Sequence, residues 1–136
     1  MNAQGLVPVI LALQFAVFGW RIGREIALGE EHRKTWLLVS DYLNFISMLA
    51  VVVFCIVVPL QTREFSKISV MIIGIASILV VFNPITMAGH YRLFSKTGRM
   101  KYTAKGKDVP YVTDQEAIIL IASVVCAALA GCLLGR

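Results

Sequence analysis

Residues 36–60 read WLLVSDYLNFISMLAVVVFCIVVPL and form the longest apolar run of this chain. Asp41 is the only charged residue in this run, whose length exceeds the roughly 18 apolar residues that indicate a membrane-spanning helix. Three further runs, at residues 6–22, 68–91 and 117–135, are similarly apolar. Four such runs in 136 residues leave too little polar sequence to enclose them in a soluble core. The sequence therefore predicts an all-α integral membrane protein, a four-helix transmembrane bundle.

The overall composition favours the same class of protein. Hydrophobic residues make up 58% of the chain and charged residues 15%, against about 25% charged residues in soluble domains. The first run has neither the preceding positive charge nor the following cleavage site of a signal peptide, so we expect a retained helix. We predict one domain over residues 1–136, with helices at about 5–28, 31–60, 64–95 and 114–135 and a basic loop at 96–113.

Positive charge is concentrated in two of the three connections between helices. Ten of the 13 Lys and Arg residues lie there, namely Arg21, Arg24, Arg33, Lys34, Arg92, Lys96, Arg99, Lys101, Lys105 and Lys107. The positive-inside rule then predicts that the loops at residues 23–35 and 92–115 are cytoplasmic and that both termini lie outside. Such residues contact anionic lipid headgroups, so the expected partner is the lipid bilayer, and nucleic acid is not expected.

Local signals predict where several helices begin, end or bend. Pro59 cannot donate a backbone N–H, so we expect helix two to end near it and helix three to start near Thr62. TDQE at residues 113–116 has capping-box spacing and predicts the start of helix four. Within VVFNPITMAGHYRLF, residues 80–94, Pro84 predicts a kink in helix three. We expect Asn83 or Thr86 to offer a hydrogen bond to the loosened turn.

Polar side chains recur at one depth in the four predicted helices. Counted inward from the cytoplasmic boundary at ~1.5 Å per residue, four of them lie roughly 9–14 Å deep, namely Gln14, Asn44, Asn83 and Ser123. We call these four residues the polar layer. Asp41 and His90 lie nearer the boundary, and Asn83, Thr86 and His90 share one face of helix three. The outer halves of the helices are almost wholly apolar, so any polar site is predicted in the cytoplasmic half.

Asp41 is the acid that the sequence places clearly inside a predicted span, and such an acid is a functional candidate by default. A pair of Asp41 and His90 would make a plausible proton or cation site, and Arg21 could also reach Asp41 from helix one. This set is short of ligands for a metal ion, so we expect neither a metal nor a cofactor. The sequence also contains no recognisable set of catalytic residues.

Small residues form two stripes at helical spacing. The stripe on helix four consists of Ser123, Ala127, Gly131 and Gly135, and a looser stripe on helix one consists of Ala12, Ala16, Gly19, Gly23 and Ala27. Small residues let helix backbones approach closely, within a bundle or between copies. The spacing does not identify the helix against which either stripe packs.

Two functions are compatible with these observations. The first is a homo-oligomeric channel or transporter for ions or small solutes, with the candidate residues Gln14, Asp41, Asn44, Asn83, Thr86 and His90. Its apolar outer half would form a hydrophobic constriction. The second is a non-catalytic membrane subunit, anchor or effector that docks a partner in a membrane complex through the basic loop.

Overall fold

The computed structural model describes residues 3–32, 37–96 and 111–136, which are helical and contain no strand. Helix α1 spans Val7–His32 after a 3₁₀ turn at Ala3–Leu6. The next helices are α2 at Val39–Thr62, α3 at Lys67–His90 and α4 at Asp114–Leu134. Each of these four segments contains a stretch that is long and apolar enough to cross a membrane. Most of the basic loop predicted at residues 96–113 lies outside the described residues.

The ends of α2 differ from the prediction of residues 31–60. The helix begins at Val39, where the Asp41 carboxylate accepts the backbone N–H of Leu38 at 2.9 Å. It also continues past Pro59, which lies in the first turn after a π-helical segment at Val53–Val57. A missing N–H is tolerated in such a first turn, so Pro59 does not end the helix. The helix ends at Arg63, whose φ of 59° is left-handed.

Helix α3 is shorter than the predicted 64–95, and its start near Thr62 was wrong. Ser66 caps the helix because its hydroxyl accepts the N–H of Ser69 at 3.2 Å. At the other end the chain turns after His90, and Arg92 has a φ of 52°. Helix α1, in contrast, runs beyond residue 28 to His32.

The predicted start of α4 is confirmed by its capping box. The Thr113 hydroxyl accepts the N–H of Glu116 at 3.2 Å, and the Glu116 carboxylate accepts the N–H of Thr113 at 3.4 Å.

Helix α3 stays α-helical through Pro84, and the Thr86 hydroxyl donates to the Phe82 carbonyl at 2.9 Å. This bond goes to the carbonyl four residues before Thr86 and not to that of Val80, which Pro84 leaves without its helical donor. The kink and its compensating hydrogen bond therefore stay predictions.

Helix α3 is central because it packs against each of the other three helices, whereas α4 packs mainly on α3. The stripe on α4 faces this contact: Ser123, Ala127 and Gly131 are buried. A Cβ at Gly131 would lie 3.0 Å from the Ile75 Cδ1 atom of α3. The stripe on α1 has the opposite environment, since Gly19 is exposed and a Cβ there would meet nothing within 4 Å.

The two ends of the bundle differ in chemistry. An apolar cluster joins α1, α2 and α3 at one end, and its buried members are Val7, Ile10, Val51, Cys55, Ile73 and Ala76. The buried polar side chains concentrate towards the other end, where α1 and α3 finish and α2 and α4 begin. We call these ends the apolar half and the polar half; the polar half is the one that the sequence predicts to face the cytoplasm.

Candidate functional site

Asp41 lies at the centre of a buried polar network and is only 2% exposed. Its Oδ2 atom accepts the Nε–H of Arg21 at 3.0 Å in addition to the Leu38 N–H, and its Oδ1 atom accepts the side-chain amide of Asn83 at 3.3 Å. These donors come from α1, α3 and the start of α2. Charge-assisted hydrogen bonds of this kind offset the loss of hydration that a buried carboxylate suffers.

Arg21 is the cation of this network, and its side chain is 1% exposed. It also pairs with Glu25, one turn further along α1. The contact from Arg21 to Asp41 was anticipated from the sequence, whereas the burial of Arg21 and Glu25 was not. A signal for it exists, because Gln14, Arg21 and Glu25 follow one another at i, i+7 and i+11 and therefore share a face of α1.

Gln14 and Asn44 form a second group about one helical turn further into the bundle. The Gln14 Nε2 atom donates to the Ser47 hydroxyl at 2.7 Å, and that hydroxyl donates to the Asn44 backbone carbonyl at 2.9 Å. Because the Ser47 proton is used in this way, its oxygen must accept, which fixes Gln14 with its NH₂ group towards Ser47. A longer contact of 3.5 Å joins the Asn44 Nδ2 atom to the Gln14 backbone carbonyl. This contact directs the NH₂ group of the Asn44 side chain towards that carbonyl.

These orientations leave two buried oxygens, Gln14 Oε1 and Asn44 Oδ1, without a hydrogen-bond partner among the described residues. Both side chains are at most 1% exposed. An unsatisfied buried acceptor costs about 1–3 kcal/mol, so each such group calls for an explanation. Amide oxygens can accept a hydrogen bond from a polar solute or replace part of the hydration shell of a cation.

The predicted pair of Asp41 and His90 was wrong. The His90 Nδ1 atom instead lies 2.7 Å from Glu116 Oε2, and these residues are 5% and 0% exposed. Asp41 is thus not the only buried acid, because Glu116 and Glu25 are buried as well. The sequence identified Glu116 only as a cap of α4.

Gly89 explains why His90 meets Glu116. The Thr113 hydroxyl donates to the Gly89 carbonyl at 2.8 Å, which holds the start of α4 against the end of α3. A Cβ at Gly89 would lie 2.7 Å from Ile119 Cδ1 and 3.1 Å from the backbone nitrogen of Glu116. Only a residue without a side chain lets the two backbones approach this closely.

The substitution Gly89→Ala is therefore expected to lower thermal stability in mild detergent. Alanine favours a helix by roughly 1 kcal/mol over glycine, but overpacking costs typically 1–3 kcal/mol, and here a backbone atom must move. Gly5→Ala is the matched control because a Cβ at Gly5 would meet nothing within 4 Å and this residue lies outside both small-residue stripes. A melting temperature that rises equally in both variants would contradict the close contact at Gly89.

The other predicted site residues are only partly brought together. Asn83 joins Asp41, whereas the hydroxyls of Thr86 and Ser123 bond to carbonyls of their own helices. Ser123 lies in the contact between α3 and α4, so the polar layer does not extend to α4 as one connected network. Within the described ranges, no group of three or more His, Cys, Asp or Glu side chains could hold a metal ion.

Comparison with protein-family models, curated proteins and solved structures gave no match to this chain.

Proposed function

We propose that the protein is a small integral membrane transport protein, a homo-oligomeric channel or transporter for ions or small polar solutes. The observation that carries this proposal is the pair of buried oxygens on Gln14 and Asn44 that have no hydrogen-bond partner in the described part of the chain. They face the interior on α1 and α2, one turn from the Asp41 network. In the proposed orientation both termini lie outside and the loops at residues 23–35 and 92–115 are cytoplasmic.

The chemistry of these oxygens suits a cation or a solute with hydrogen-bond donors. Carbonyl-type oxygens replace the hydration shell of an ion in known selectivity filters, and their cost of burial is recovered only while a partner is bound. The apolar half would act as a hydrophobic constriction, in which Val51 and Ala76 are fully buried. Transport through this end would then require a change in packing or hydration.

Contacts within one copy support a binding site inside the protomer, since four of the candidate residues converge between α1, α2 and α3, namely Gln14, Asp41, Asn44 and Asn83. Copies are proposed to associate through the exposed stripe on α1, where Gly19 and Gly23 leave the backbone uncovered. Small residues on such a face permit close helix contacts between copies. A strict monomer in mild detergent would count against this part of the proposal.

Asn44→Leu tests the site directly. It keeps the number and branching of the side-chain heavy atoms, removes the Oδ1 atom and loses only the long contact of 3.5 Å, so the fold should be kept. We expect liposome flux of ions or small polar solutes to fall at least tenfold while the melting temperature is retained. Ser123→Ala is the matched control, since its hydroxyl bonds its own helix, and its flux should equal that of the unaltered protein. Unchanged flux in Asn44→Leu would refute the assignment of the site.

A second function, a non-catalytic subunit or anchor that docks a partner through the basic loop, is favoured by one observation. Both carboxylate oxygens of Asp41 already accept hydrogen bonds, as they would in a purely structural network. Absence of flux from folded, reconstituted protein would favour this second function over transport.

A further inference from the structure

A groove opens on the outer surface between α1 and α3 in the polar half. It has a volume of 220 Å³ and is lined by Trp20, Arg24, Pro84, Met87, Tyr91 and Leu93, among others. We call it the Arg24 groove. Trp20 is 56% exposed and Leu93 58% exposed, so the groove is open at the side that faces away from the bundle. None of its lining residues belongs to the Asp41 network.

Arg24 supplies the charge of this groove and is held in position. Its guanidinium carbon lies 4.2 Å from the centre of the Tyr91 ring, and its Nη1 atom lies 3.8 Å from the Met87 sulfur. These two contacts engage the Tyr91 ring and one Nη group, so the other N–H groups of the guanidinium can still donate to a ligand. Among the described residues Arg24 forms no ion pair, whereas its neighbour Arg21 pairs with two carboxylates.

We propose that the Arg24 groove binds the phosphate of an anionic phospholipid. The edge of an arginine fork matches a phosphate in charge and in bidentate geometry. The rest of the lining is apolar or aromatic, as the first carbons of a lipid chain require. A zwitterionic lipid carries its own ammonium group, so charge complementarity with Arg24, which has no ion pair among the described residues, favours an anionic headgroup.

The volume and position of the groove agree with this occupant. It is smaller than the roughly 300–1,000 Å³ of pockets that enclose a whole small ligand, and it is open on one side. It would therefore hold a headgroup phosphate while the chains of the lipid remain in the bilayer. Trp20 and Tyr91 are also the residue types that are enriched where membrane meets water. Lipid binding in the Arg24 groove does not require transport activity.

Trp20 provides the readout for a test, because it lines the groove and the chain has one other tryptophan, Trp36. In a Trp36→Phe background, quenching of Trp20 fluorescence is measured in phosphatidylcholine vesicles that contain brominated phosphatidylglycerol or brominated phosphatidylcholine. We expect stronger quenching by the brominated anionic lipid. Arg24→Gln should abolish this preference.

Two further variants separate a specific site from general attraction. Lys96→Gln removes one exposed positive charge from the same predicted membrane surface and should keep the preference. Tyr91→Leu removes the ring beneath Arg24 without changing the charge and should weaken the preference. Equal losses in Arg24→Gln and Lys96→Gln would show a bulk electrostatic effect only and overturn the proposal. Equal quenching by both lipids in the unaltered groove would overturn it as well.

Discussion

Replacing Asp41 by asparagine is expected to cause one of the largest losses of stability available from a single substitution in this protein. The two residues have the same shape, but an asparagine offers one oxygen and one NH₂ group. In the structure Arg21 and the Leu38 N–H both donate to Oδ2, and Asn83 donates to Oδ1. An NH₂ group at the Oδ2 position would face the Arg21 and Leu38 donors, whereas at the Oδ1 position it requires the Asn83 amide to turn and accept. In either orientation the buried guanidinium loses one of its two carboxylates.

The expected size of this effect follows from the burial of the pair. Removing one partner of a buried ion pair costs about 3–5 kcal/mol, and we expect the lower end of that range because Glu25 remains beside Arg21. Thermal unfolding in mild detergent measures the loss. Asp114→Asn is the matched control, since that side chain is 90% exposed in its pair with Arg92 and such surface pairs contribute little.

A melting temperature of Asp41→Asn equal to that of Asp114→Asn would contradict a stabilising role for Asp41. A second measurement isolates the interaction itself. If Asp41 matters chiefly as the partner of Arg21, then the loss in the double variant Asp41→Asn/Arg21→Met should be smaller than the sum of the two single losses, because the interaction between the two side chains can be lost only once. Additive losses in the double variant would instead assign the effect to the capping of α2 and to Asn83.

Much of this fold could be predicted because membrane-length apolar runs and capping residues are local signals. The four long helices follow from the runs, and the start of α4 follows from Thr113 and Glu116. The exact ends of α2 and α3 could not be found in the same way. A π-helical segment before Pro59 and a cap at Ser66 change where a helix stops or starts without changing its apolar composition.

The polar site was predictable only where helix spacing and charge together restricted the partners. Asp41 and Arg21 have opposite charge at similar predicted depths, and the structure joins them. His90 and Glu116 could not be paired from the sequence, because their contact depends on the approach of two backbones at Gly89 across 26 residues of chain. The predicted capping role already provided a hydrogen-bond partner for the Glu116 carboxylate. No feature of the sequence therefore indicated a second partner for it.

The two small-residue stripes show the same limit. A small residue at every fourth position indicates that something can approach closely, but it does not say what. On α4 the neighbour is α3, and Gly131 is buried against it. On α1 the equivalent position Gly23 is exposed, with no neighbour within 4 Å of a Cβ. The sequence pattern is similar in both helices, and only the packing distinguishes a contact within the chain from a surface that remains open.

Gly131→Leu is the second substitution for which we expect a large effect. A Cβ at this position would already lie 3.0 Å from Ile75 Cδ1 and 3.2 Å from Ile75 Cγ1, and leucine adds a branched group beyond it. Overpacking of this kind costs typically 1–3 kcal/mol and occasionally more, because α4 must move away from α3 or Ile75 must leave its rotamer. The higher helix propensity of leucine relative to glycine offsets only roughly 1 kcal/mol of this loss of stability.

Leu133→Ala provides the comparison on the other face of α4, where the leucine is 67% exposed and contributes little to packing within the chain. We expect Gly131→Leu to lower the melting temperature in mild detergent by several degrees and Leu133→Ala to leave it nearly unchanged. The contact with α4 is the most extensive that α3 makes, so its loosening should also free the start of α4. Faster hydrogen exchange around Glu116 in Gly131→Leu would report that loosening. Equal melting temperatures for the two variants would show that the stripe on α4 does not hold α3 and α4 together.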